Sequence, residues 1–190
     1  MVVVAKDPTQ TVTIVSGWYY PEKAHALDGL YTEGKVINAE QEYLGYGFDI
    51  PFGAKIRRVK VKSRLYGSDI DVIVDVKIYD GTTFYTKRID KYSTPQIPLT
   101  PTLVELDFTD VTNWTAGKVN NIRTRIVYSA YLPATAYVDN LTVEVEYTTV
   151  EEVEEAVQET ITQFIQANWL PLSILGIIIA IVIAIILWVW

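Results

Sequence analysis

Apolar and polar residues alternate along most of the first 147 positions. In Ile56-Arg-Arg-Val-Lys-Val-Lys-Ser-Arg-Leu65, Val59, Val61 and Leu65 fall on one face and Arg58, Lys60, Lys62 and Arg64 on the other. Period two is the mark of a half-buried strand. A turn at Gly67-Ser68 predicts a hairpin with Arg64 opposite Asp71 and Lys60 opposite Asp75. The same register sets Leu65 on Ile70, Val61 on Val74 and Val59 on Val76 inside. Asp80-Gly81 predicts a second hairpin that returns through residues 82–87. Residues 122–128 and 140–147 are expected to pair around the loop near Pro133, with Arg125 against Glu144 and Arg123 against Glu146. Inside that pair, Ile126 would lie on Val143 and Tyr128 on Leu141. Further strands are predicted at 11–15, 43–49 and 103–108. Such strands predict an all-β fold, an antiparallel β-sandwich of the jelly-roll type.

After position 148 the period changes. Val150, Val153, Val157, Ile161 and Phe164 recur at helical spacing behind Thr149, a suitable N-cap, and glutamates crowd the first turns. Positions 150, 153, 157, 160, 164 and 167 also alternate by three and four, so Val153, Val157 and Phe164 could form a short coiled-coil seam. A helix packed on its own sandwich, or lying along lipid, fits the same stripe equally.

Residues 170–190 carry no charge, and Ser173 is their only polar side chain. As a helix they reach about 30 Å, the thickness of a bilayer core. Trp169 precedes Leu170 and Pro171 at one end, and Trp188 and Trp190 close the other, where aromatic rings favour membrane interfaces. Gly176, Ala180 and Ala184 share one face, a ridge that lets helices approach closely. The division is thus a head at 1–148, an acidic stalk helix at 149–168 and a single transmembrane helix at 169–190.

Charge narrows the partners. The chain carries a formal charge of −7, and every Lys and Arg lies at or before Arg125. A net acidic chain without a basic tail argues against nucleic-acid binding. No cysteine is present, which removes thiol catalysis and zinc thiolate sites. The first residues, Met-Val-Val-Val-Ala-Lys-Asp-Pro, lack the features of a signal peptide. Insertion by the C-terminal segment, leaving a cytoplasmic head, is therefore the expectation.

The run Leu44-Gly-Tyr-Gly-Phe-Asp-Ile-Pro-Phe-Gly-Ala-Lys-Ile-Arg-Arg-Val-Lys-Val61 resembles a segment of β-sandwich structural proteins of phages and archaeal viruses. Gly17-Trp18, Leu27-Asp-Gly29 and the block from Leu103 through Asn113-Trp to Tyr147 fit the rest of that pattern. The resemblance implies a sandwich fold and a virion role. A membrane tail departs from the soluble appendage members.

No catalytic constellation is visible. His25 is the single histidine, without a triad or ligand spacing around it, and no enzymatic activity is expected. No cofactor is expected apart from a candidate calcium site, for which Asp28 and Asp139 are the oxygen donors to consider. Trp18 and Trp114 are candidate rings for stacking a sugar, against the alternative that they fill the core. The Arg58–Arg64 column reads as a solvated, charge-paired sheet face rather than an anion stripe. Asn113-Trp-Thr115 and Asn140-Leu-Thr142 are glycosylation sequons.

The expected protein is a membrane-anchored structural element of a virion, in the virion membrane or the host membrane, linking lipid to the shell or displaying its head. Its expected partners are the lipid bilayer, further copies of itself, and other capsid or membrane proteins. The alternative is a receptor- or glycan-binding surface protein with the same anchor.

Overall fold

The computed structural model describes residues 1–149, 155, 158–163, 166 and 167. Met1–Thr149 forms one compact unit and Val150–Trp190 a second. The first is an antiparallel β-sandwich of twelve strands: β1 (Val2–Lys6), β2 (Gln10–Val15), β3 (Trp18–Tyr19), β4 (Thr32–Gly34), β5 (Glu40–Leu44), β6 (Lys55–Gly67), β7 (Val72–Tyr79), β8 (Phe84–Ile89), β9 (Thr102–Asp107), β10 (Arg123–Ala130), β11 (Ala136–Val138) and β12 (Thr142–Thr148). One five-residue helix, α1 (Ala116–Asn120), starts at Thr115, whose hydroxyl accepts the Lys118 amide.

Seven strands make one sheet in the order β1-β12-β6-β11-β4-β3, with β9 on the other edge of β6. Five make the second, in the order β2-β5-β10-β7-β8. Alternation in β6 puts Val59, Val61 and Leu65 fully inside, where they meet Val74, Val76 and Ile78 of β7 and Ile126 of β10 in one core. Each such buried side chain contributes about 1.5–3 kcal/mol.

Two predicted pairings are corrected. β6 and β7 do not form a hairpin: they belong to opposite sheets, joined by an arch at 68–71 in which the Ser68 amide bonds the Thr135 carbonyl at 2.8 Å. β10 and β12 are likewise in different sheets; β10 lies between β5 and β7, and β12 between β1 and β6. Alternation states which side chains face inward, and an arch across the core satisfies it as well as a hairpin does. The charge partners change accordingly. Asp71 meets Lys91, Asp75 meets Arg88, Glu144 meets Lys62, and Glu146 meets Arg58. Arg123 and Arg125 both reach Glu42. The β7–β8 hairpin at Asp80-Gly81 forms as read, with Tyr79 opposite Phe84 and Gly81 at φ 98°.

The strand expected at 43–49 ends at Leu44. Gly45 and Gly47 adopt φ of 76° and 62°, turning the chain out of the sheet in a region that favours glycine. The backbone N–H and carbonyl of Ile50 are then held by the Asn120 side chain at 2.8 and 3.1 Å.

In the second unit, residues 155, 158–163, 166 and 167 are helical. Thr162 donates to the Gln158 carbonyl at 2.8 Å, and Gln163 to the Glu159 carboxylate at 3.2 Å. Among the described residues no helix is long and apolar enough to cross a membrane. The stalk contacts at Val153, Val157 and Phe164 lie outside the described residues. So do the whole anchor, with Trp169, Leu170, Pro171, Trp188 and Trp190, and its Gly176, Ala180 and Ala184 face.

Candidate functional site

Trp18 and Trp114, the two rings considered for stacking, are buried at 6% and 7% exposure. Trp18 donates its indole N–H to the Ala39 carbonyl at 3.0 Å and meets Tyr128 edge-on at 6.3 Å. Trp114 donates to the Phe108 carbonyl at 2.8 Å. Large rings with satisfied polar ends are core anchors, and a sugar would need other rings.

Those rings stand at one end of the sandwich. β4 ends there at Gly34, β6 at Gly67 and β10 at Ala130, and β11 begins there at Ala136. The loops at 35–39 and 131–135 enclose an open cleft of about 500 Å3, lined by Lys35, Val36, Ile37, Tyr131, Leu132, Pro133 and Ala134 over Tyr128. Both walls hang on that buried tyrosine. Its backbone carbonyl accepts the Asn38 amide at 2.8 Å, its amide donates to Ala39 at 3.0 Å, and its hydroxyl donates to the Ala134 carbonyl at 2.5 Å. Asn38 takes φ 65° in the first wall, and the Lys35 amide binds the Gly17 carbonyl.

Ile37, Tyr131 and Leu132 are each more than half exposed, and Tyr92 on the neighbouring 90–101 loop is 77% exposed. Exposed apolar groups gathered this way mark an interaction surface. The Lys91 ammonium sits 5.3 Å from the Tyr92 ring centre and 5.2 Å from that of Tyr131, and bonds Asp71 at 2.7 Å. Lys35, on the opposite rim, bonds Glu33 at 2.5 Å. Both ammonium groups are held above the ordinary lysine range, chiefly by those carboxylate hydrogen bonds. Each keeps further N–H groups for a ligand.

Lys35 also lies 5.4 Å from the Tyr19 ring, linking the cleft to the solvent face of the larger sheet. There Tyr66 on β6, Tyr137 on β11, Glu33 on β4 and Tyr19 on β3 stand in one cross-strand row. Tyr66 and Tyr137 stack at 4.5 Å, and Tyr31 lies perpendicular to both. These rings use their faces on one another, so the row covers the sheet more than it offers a platform. At the opposite end, where β12 finishes with Thr148 beside Lys55, a second cleft of about 490 Å3 lies between Phe52, Ile56 and Trp114.

Asp28 and Asp139 are brought together, but in a turn. Asp139 is fully buried and accepts the amides of Asp28 and Gly29 at 3.1–3.2 Å. Asp28 accepts the Leu30 amide at 2.9 Å. Burial pushes the Asp139 carboxyl up, against those amides. Among the described residues, no three His, Asp or Glu side chains gather as a metal site. His25 bridges to Asn140 and meets Tyr43 edge-on at 6.1 Å. The Arg58–Arg64 column is matched by Glu146, Glu105, Glu144 and Asp139. Of the sequons, Asn113 is exposed, whereas Asn140 is buried and bonds the Arg64 amide at 2.7 Å.

No protein-family model matches this chain, and no curated protein does. Solved structures that it resembles include CBM32 of AlyQ in complex with 4,5-unsaturated mannuronic acid, at 16% identity and TM-score 0.45 over 75% of this chain and 98% of that one. The CBM36-1 domain of a multidomain xylanase from the hindgut metagenome of Trinervitermes trinervoides is similar at 10% identity and TM-score 0.43, over 78% and 100%. A family two carbohydrate esterase from Cellvibrio japonicus is similar at 11% and 0.39, over 78% of this chain and 33% of that one. The chain thus spans 33% of the esterase's length. Superpositions this loose assign neither ligand nor activity.

Proposed function

We propose that this protein is a glycan-binding β-sandwich head held at a membrane by its C-terminal apolar segment. The observation that carries the reading is the cleft at the sandwich end, with Tyr131 and Tyr92 exposed on either side of Lys91. A pyranose has an apolar C–H face and a hydroxyl rim; tyrosine rings serve the first and lysine N–H groups the second. The cleft lies where β6 ends, while the chain leaves the sandwich beside the start of β6.

The test is retention of the full chain, in detergent micelles, on a glycan array. Binding lost in both Tyr131→Ala and Tyr92→Ala supports the reading; no binding by a folded chain, or binding indifferent to both changes, overturns it. For the anchor, resistance of the full chain to alkaline extraction from membranes is expected, and release would remove it.

A structural role in a virion is the second reading, favoured by the Leu44 to Val61 resemblance. In that run Gly45, Gly47 and Gly53 take positive φ, and Phe48, Ile50 and Ala54 are buried, so its residues serve the fold. Co-purification with virions whose heads resist protease would favour this reading over the first.

A further inference from the structure

We infer that the cleft selects an uncharged pyranose that bears a methyl group, either on C6 or within an N-acetyl substituent. The inference rests on the glycan reading above. Charge balance disfavours an acidic sugar. Among the described residues, Lys35 is the only charged side chain lining the cleft, and Glu33 already neutralises it at 2.5 Å. Lys91, beside it, is neutralised by Asp71 at 2.7 Å. A carboxylate entering the cleft would meet ammonium groups whose charge Glu33 and Asp71 already balance, and would gain little net attraction.

The lining argues for the methyl group. Val36, Ile37, Leu132, Pro133 and Ala134 present only hydrocarbon side chains, concentrated on the two facing loops. A plain hexopyranose carries hydroxyls at C1 to C4 and at C6, around its rim. Turned toward these walls, one of them would lose its water without gaining a partner. A methyl group in the same place gains apolar contact at no such cost. For the remaining hydroxyls, Lys35 and the Tyr131 hydroxyl lie in the lining and Lys91 stands beside Tyr131. Because Tyr128 ties both loops, the apolar walls are set before a ligand arrives.

Paired sugars that differ in one group decide the matter by titration into the full chain in micelles. L-Fucose and L-galactose differ only at C6; N-acetylglucosamine and glucose differ only in the N-acetyl group. The methyl-bearing member of one pair should bind about tenfold or more tightly, the scale of a buried methyl. Which pair shows the preference distinguishes the two sources. That affinity should hardly change with salt, and Val36→Thr, which keeps the shape and adds a hydroxyl, should erode the preference. Equal binding of both members in each pair, or strongest and salt-dependent binding of glucuronate, overturns the inference while leaving glycan binding in place. Absence of binding to every sugar by a chain with native near-ultraviolet dichroism overturns the glycan reading itself.

Discussion

The Tyr128 hydroxyl donates to the Ala134 carbonyl at 2.5 Å, and the backbone of the same residue carries Asn38 and Ala39 on the facing loop. One buried ring therefore sets the width of the cleft. Tyr128→Phe keeps the ring and removes the donor. The variant should lose about 1–3 kcal/mol of unfolding free energy, read by urea denaturation of the full chain. Amides of Tyr131, Leu132, Ala134 and Thr135 should exchange faster, while those of β12 should not.

Gly34 is the other support of this end. A Cβ there would stand 2.9 Å from the Trp18 ring and 3.0 Å from the Tyr128 Cβ. Neither neighbour has room to retreat, since both are core residues. Gly34→Ala should cost about 1–3 kcal/mol, the range of an overpacked core. An unchanged melting temperature would show that the Trp18–Tyr128 contact is looser than described.

At the opposite end Asp80 ties the β7–β8 turn to α1. Its carboxylate accepts the amides of Thr82 and Thr83 at 2.9 Å, the Thr112 hydroxyl at 3.0 Å and the Lys118 ammonium at 2.9 Å. Burial alone would raise this carboxyl, but Lys118 and the Thr82 and Thr83 groups outweigh it and hold it well below the usual carboxylate range. Folding therefore favours the ionised form. That stability is complete above the unfolded carboxyl value of about 3.9 and is lost as pH falls below it. In acid titrations followed by circular dichroism, Asp80→Asn should be less stable than the native chain at pH 7. The gap between them should narrow steadily below about pH 4.

Glu42 is buried on β5, its side chain 6% exposed, and receives both Arg125 and Arg123. Arg125→Ala would leave that carboxylate with Arg123 alone, 3.3 Å away and half exposed. A loss of roughly 1–3 kcal/mol is expected, since Arg123 still compensates the buried charge in part. Arg125→Ala combined with Glu42→Gln should recover part of it, measured as a double-mutant cycle.

The two sequons separate by accessibility. Asn113 is exposed, whereas the Asn140 side chain accepts the Arg64 amide at 2.7 Å and donates to Thr142 at 2.8 Å. Expressed through a secretory route, the folded head should carry glycan at Asn113 and none at Asn140. Peptide mass spectrometry gives the answer.

Sequence alone determined most of the longer strands, the inward face of β6 and the turn at Asp80-Gly81, but not β1, β3, β4 or β11, and it placed Ile70 inside where it is exposed. Val59, Val61 and Leu65 are buried where the alternation put them, and the charged column beside them faces outward, mostly half-buried and paired. These properties are local, because the pleat sends neighbouring side chains to opposite faces whatever the strand pairs with. Tertiary structure decided the partners. Leu65 and Ile70 looked like hairpin neighbours, yet an arch at 68–71 sends β6 and β7 into different sheets. Periodicity is silent between those outcomes, because the apolar face of each strand is buried in either case. The cleft was less legible still. Val36 and Ile37 lie almost a hundred positions from Tyr131 and Leu132, and only the packing of both loops on Tyr128 brings them together. Their one signal in the sequence was apolar residues inside segments otherwise built as turns. Trp18 and Trp114 drew attention as the larger rings, and the close packing that determines the core claimed them both.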